Sequence, residues 1–233
     1  MTSLISDSQA RAGVAGRHQK QRRIALAGVL FLIVIAFILK PPFVVRPLPG
    51  ANGASNGGQP VESAAAKFVD PIWTTKVLPV IEEKAEDITK VVAEIRTNPD
   101  SAGQKYGRRE ATNPYNYMVK GTGKVTEIKS ESQAGTAIVE VPGLNENVAI
   151  QIGPVVRGTA LRDATGVVSF NQFSNQLDYA DVSKEMNGRA LKSAFANATP
   201  ASLAGKTVTF FGAFTFDPRS KSLILITPVK IAL

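Results

Sequence analysis

Hydrophobic and polar positions change their period several times along the chain. Ile24 to Leu39 is a run of 16 residues with no polar side chain. As a helix it would span about 24 Å, slightly short of a bilayer core of about 30 Å. Arg23 and Lys40 bracket the run and can snorkel outward, while Phe43 to Val45 add apolar surface beyond it. Pro41 and Pro42 end the helix, because neither has a backbone N–H. The pattern predicts a transmembrane anchor over 24–46, with the basic tail 1–23 in the cytoplasm and the remainder outside. A core helix of a soluble domain fits less well, since a basic tail precedes the run and a linker follows. A cleaved signal peptide is the closer alternative. Its small-residue sites, Ala51 to Gly53 or Ala64 to Ala66, lie more than ten residues past Leu39, which favours an uncleaved anchor.

Pro47 to Ala66 is rich in Gly, Ala, Ser and Pro without an apolar period, and residues 47–69 are expected to form a flexible tether. A helical segment is expected over 70–112. Asp70-Pro71 is a start signal, and Val77, Ile81, Ile88, Val91, Val92 and Ile95 make one apolar face. Pro79 predicts a kink or a second start, and Asn98-Pro99 a stop. The charges of 82–90 read as a solvated face and Trp73 as a packing anchor.

From Tyr115 the period becomes two. Strands are predicted at Tyr117–Ile128, Thr136–Val141, Val148–Ile152 and Val167–Phe170, then a helix over Asn175–Ala196, then strands at Thr207–Phe216 and Leu223–Ile231 joined by a turn at Asp217 to Ser220. Three strands, a helix and two strands is the order of an OB-type Greek-key barrel. The fold class is therefore α+β. The helical segment packs on an OB-like antiparallel β-barrel over 113–233, which carries one inserted helix.

Charge sharpens the first prediction. The formal charge is +8, which by itself suggests nucleic acid or an anionic surface. Residues 1–46 hold seven basic side chains against one acidic, so most of the charge belongs to the anchor and its flanks. No nucleic-acid partner is expected. There are no cysteines, and the one histidine is His18. Outside the membrane, thiol nucleophiles, Ser–His triads and His- or Cys-ligated metals are thus unavailable. There is no P-loop and no calcium loop, and the acids show no paired signature. We expect no enzymatic activity, no metal and no cofactor.

One stretch carries candidate chemistry. Gly153 to Gly166 places Arg157, Thr159, Arg162 and Asp163 in a glycine-punctuated loop, and Ser169 to Tyr179 adds Asn171, Asn175 and Gln176. Arginine forks beside primary amides can hold anions or polyhydroxylated ligands. The plain alternative is that Arg162 and Asp163 brace the loop and that Ser174 or Asn175 caps the following helix.

The same stretch, Gly153 to Asp163 followed by Phe170 to Ala180, resembles a bacterial family of predicted periplasmic lipoproteins of unknown function, DUF2291. Asp70 to Thr75 with Leu78-Pro79, Lys105 to Arg108, Tyr117 to Val125 and Ile226 to Lys230 support the resemblance, which covers about residues 40–233. It implies an extracytoplasmic, membrane-tethered protein, often encoded beside sugar ABC transporters, with no catalytic residues to carry over. The lipid-bearing cysteine usual near Lys40 is missing here, so a helix over Ile24–Leu39 would replace the lipid. The expectation is a single-pass protein of the inner membrane with its C-terminal domain in the periplasm. It would be a ligand-binding or accessory component, with an ABC transporter or its sugar-binding protein as partner. The expected contact surface is Arg157, Thr159, Arg162, Asp163, Asn171, Asn175 and Gln176. An envelope docking protein and a carboxylate hydrolase are the alternatives.

Overall fold

The computed structural model describes residues 62–217 and 223–233. The expected cytoplasmic tail, the anchor and most of the tether lie outside the described residues, as does most of the turn after Asp217. No helix among the described residues is long and apolar enough to cross a membrane.

Helix α1 (Ala64–Ile72) starts six residues before Asp70, inside the stretch expected as tether. The Ser63 side chain accepts from the Ala66 N–H at 3.0 Å, and the alanine run after it has high helix propensity. Pro71 sits inside the helix rather than at its start. The chain then widens into a π-helical turn, Trp73–Val77, before α2 (Leu78–Lys84). Pro79 has no N–H to give to the carbonyl four residues back, and a wider turn absorbs that loss. It also aligns Val69, Trp73, Val77 and Ile81, whose spacing of four exceeds the period of an ordinary helix and all of which are buried.

The helix expected to run on to Asn98 is interrupted. Glu86 and Asp87 are extended and pair in parallel with Val119 and Lys120. Asp87 then caps α3 (Ile88–Thr97), accepting from the Thr89 N–H at 2.8 Å. Asn98 ends α3 and caps α4 (Pro99–Tyr106), which starts on the proline.

Five strands close the barrel: β1 (Asn116–Lys129), β2 (Thr136–Glu140), β3 (Asn147–Gln151), β4 (Thr207–Thr215) and β5 (Leu223–Ala232). The hydrogen-bonded circuit is β1-β2-β3-β5-β4 and back to β1, with β3 and β5 parallel and the other pairs antiparallel. This is the connectivity expected of an OB barrel. Period-two alternation fills the interior with Tyr117, Val119, Val125, Val139, Ile150, Phe210, Phe214 and Ile226. Ile88, Val91, Val92 and Ile95 of α3, with Leu203, join that interior cluster.

A second core lies on the barrel's outside. Ala213 and Val229 face outward and meet α1, α2, a short helix α5 (Ala160–Thr165) and α6 (Gln176–Ala194). Arg189 of α6 ties this layer together. It donates to Asp70 Oδ1 at 2.7 Å, to Glu185 Oε1 at 2.8 Å and to the Ala66 carbonyl at 3.3 Å. Gly188 lies on the open side of α6, where a Cβ would meet nothing within 4 Å. Gly188→Ala should therefore raise the unfolding free energy by about 0.5–1 kcal/mol through helix propensity alone, read as a higher denaturation midpoint. A lower midpoint would show that the exposed face is covered.

The strand expected over Val167–Phe170 does not form. Gly166 turns the chain with a φ of +61°, Val168 drops into the outer core, and Phe170–Gln172 is a 3-10 turn. Ser169 and Gln172 cap that turn reciprocally. With a helix layer rather than a strand beside it, this apolar stretch has no ladder to join.

Candidate functional site

The stretch read as a glycine-punctuated loop is partly helical. Arg162 and Asp163 belong to α5, and Thr159 precedes it. Asp163 is four residues past Thr159, one helical turn on, so the Thr159 hydroxyl donates to Asp163 Oδ2 at 2.6 Å. Arg162 is buried. Its Nε donates to Asp163 Oδ1 at 2.8 Å and its Nη1 to the Tyr179 carbonyl at 3.0 Å. The guanidinium lies 3.5 Å from the Tyr179 ring centroid, a cation–π contact with little water between. Arg162 thus ties α5 to the first turn of α6.

Asn175 is committed as well. Its Oδ1 accepts from the Asp178 N–H and its Nδ2 donates to Asp178 Oδ2, each at 2.9 Å. It is the N-cap of α6. Arg157 is exposed, and what is fixed there is its backbone. The buried Gln151 amide accepts from the Arg157 N–H at 2.7 Å and donates to the Arg157 carbonyl at 3.1 Å. Asn171 and Gln176 are exposed, on the 3-10 turn and at the first position of α6. The structure therefore gathers Thr159, Arg162 and Asp163 into one braced cluster. It leaves Arg157, Asn171 and Gln176 as surface groups.

Sequence reasoning missed half of this cluster. Arg108, Arg109 and Glu110, together with Ser169 and Tyr179, line a cleft beside Asp163 of about 70 Å³. The Arg108 guanidinium lies so close over Gly166 that a Cβ there would come within 2.2 Å of it. Arg109 sits 4.2 Å from the centre of the Tyr115 ring. The Tyr179 hydroxyl reaches Glu110 Oε2 at 3.4 Å. Burial, helped by the Asp163 and Glu110 carboxylates and opposed by Arg162, pushes the Tyr179 phenol up to about 12. It stays protonated and acts as a donor. The one sequence signal was the segment Lys105 to Arg108, already notable for the resemblance it carries.

The cleft has room for about two waters, whereas small-molecule pockets run to several hundred Å³. Among the described residues no group of three or more His, Asp or Glu side chains could hold a metal ion.

The family model for a predicted periplasmic lipoprotein, DUF2291, matches residues 33–232. The chain belongs to this family. Membership in DUF2291 makes it an extracytoplasmic, membrane-associated protein of unknown function. The barrel has a solved counterpart in an OB-fold protein from Thermotoga maritima, with a TM-score of 0.58 and 19% identity over 73% of this chain and 98% of that one. At that identity the likeness establishes the OB fold alone. No curated protein matches. In this DUF2291 member Arg162 links α5 to the first turn of α6, and Arg157, Asn171 and Gln176 around it are exposed.

Proposed function

We propose that the protein is a non-enzymatic accessory component of a sugar ABC transport system, held at the periplasmic face of the inner membrane by a helix over Ile24–Leu39. Its contact with the transporter would run through the start of α6. The supporting observation is the side-chain arrangement there. Phe170 and Leu177 are 36% and 67% exposed and belong to the few large apolar side chains left open to solvent among the described residues. Exposed Asn171 and Gln176 flank them. The aromatic ring of Phe170 meets Tyr179 edge-on at 5.5 Å, and Tyr179 is clamped by Arg162. Apolar groups with polar neighbours on a rigid support suit a protein interface, which draws its affinity from a few pre-organised anchors. The adjacent cleft is too small for a sugar, so a protein partner fits this surface better than a small ligand does.

A photo-crosslinking residue in place of Gln176, in cells making the full chain, should give an adduct with a transporter subunit. Leu177→Asp should reduce that adduct at least fivefold. Adducts with the soluble sugar-binding protein would move the contact to that partner. Adducts with neither, or a yield unchanged by Leu177→Asp, would remove the docking reading.

A further inference from the structure

A second opening on the barrel wall lies elsewhere, on the outer face of β1 and β4. Its floor follows from strand register. The extended pair Glu86-Asp87 sets Asp87 beside Lys120. Across β1 and β4, Lys120 faces Phe211 and Thr122 faces Thr209. These positions point away from the core, because the alternate residues of both strands fill it. One wall is the start of α3. The other is the turn Val141–Leu144, with Pro142 and Gly143 at its centre. That turn closes with a bond of 3.1 Å from the Leu144 N–H to the Val141 carbonyl and takes a φ of +86° at Gly143, which suits glycine. The furrow between them holds about 510 Å³, within the range of small-molecule sites.

Its chemistry is two-sided. Asp87 is fixed by three donors that all fall on Oδ1: the Thr89 N–H at 2.8 Å, the Thr89 hydroxyl, and the Lys90 N–H at 3.4 Å. Oδ2 accepts none of them and is left as a pre-positioned acceptor. The Thr89 hydroxyl above all, against some burial and with Lys120 nearby, holds the carboxyl below its usual range. It is ionised at neutral pH. Lys120 is exposed and makes no ion pair within the described residues. The Thr122 and Thr209 hydroxyls bond each other at 2.9 Å, which consumes one proton and leaves the other, with lone pairs, for a ligand. Phe211 and Pro142 supply apolar surface beside these groups.

We propose that this furrow binds a neutral polyhydroxylated ring, a monosaccharide or a cyclitol. Such a ring has hydroxyls along its edge and C–H groups on its faces. Asp87 Oδ2 accepts from one hydroxyl, Lys120 and the threonine pair bond others, and Phe211 with Pro142 covers a C–H face. One fixed carboxylate and one free ammonium offset each other, which favours an uncharged ligand over an anion. The site is separate from the Phe170–Leu177 surface and does not depend on it.

The test is calorimetric titration of the full chain in detergent micelles with D-glucose, D-galactose and myo-inositol, and with D-galacturonate as the charged comparison. At least one neutral ring should bind, and more tightly than galacturonate. Asp87→Asn should weaken it at least tenfold, and so should Lys120→Met. Asparagine caps a helix as well as aspartate does, so the first variant keeps the fold, and an unchanged melting temperature checks that. Leu177→Asp should leave the affinity as it was. Absence of binding by all three neutral rings at millimolar concentration would overturn the proposal. So would binding that survives both furrow substitutions, or a preference for galacturonate.

Discussion

Arg162→Ala should cost about 3 kcal/mol of folding free energy, the lower end of the range for removing one partner of a buried charge pair, because Arg162 is buried while Asp163 keeps 22% of its side chain exposed. The substitution leaves Asp163 without its guanidinium and removes the side-chain donor to the Tyr179 carbonyl. It also strips the cation from the face of the Tyr179 ring. Trp73 is the one tryptophan of the chain and is buried in the same outer helical core as Leu161 and Ala164. Its fluorescence in a urea titration therefore reports on this layer. For a domain of this size the midpoint should fall by about 1.5 M urea. Arg162→Lys should land in between, since an ammonium keeps the charge but loses the planar fork and the stacking. A fall of less than about 0.5 M for the alanine variant would mean that Arg162 does not brace α5 against α6.

Gly123→Ala should be as damaging for a different reason. A Cβ at Gly123 would lie 2.4 Å from the Glu140 carbonyl oxygen and 2.7 Å from Val139 Cγ1. The first of these is backbone of the paired strand and cannot turn away as a side chain would. Relief requires parting β1 from β2, and β1 is held from the other side by a ladder to β4 running from Asn116 to Lys124. Overpacking of this kind costs about 3 kcal/mol, or about 10 °C in melting temperature for a domain of this length. A melting temperature within about 2 °C of the unaltered protein would show that the barrel can breathe at this point. The contrast with Gly188→Ala, expected to stabilise, isolates space rather than glycine itself as the cause.

Five barrel strands were legible in the sequence because each buries one face in the interior, and the resulting period of two survives at either end within two residues. The failures have physical causes. Val167 and Val168 look like a strand by side-chain type, but Gly166 turns the chain left-handed and the neighbours are helices. Asp70-Pro71 is a sound start signal that lost to Ser63 and three alanines. The proline could stay inside because the following turn is wide. The candidate site was legible only where partners are close in sequence. Thr159, Arg162 and Asp163 lie within one helical turn. Tyr179 is 17 residues from Arg162 and 69 from Glu110, and nothing local announces those meetings. The pairing of Asp87 with Lys120 depends on a two-residue extended segment between helices, too short for any period to mark.

The unbroken circuit of the barrel limits how anything can attach to it. Each of the five strands already has a hydrogen-bonded neighbour on both sides. Strand addition, a route by which envelope proteins capture extended segments, is thereby confined to the stretches laddered on one side only, chiefly residues 126–129 of β1 and 227–232 of β5. Edge-to-edge stacking of copies crowded together in the plane of a membrane is limited to the same short stretches. Along the closed part of the circuit, recognition falls to side chains, and substitutions that leave the backbone untouched are enough to change it.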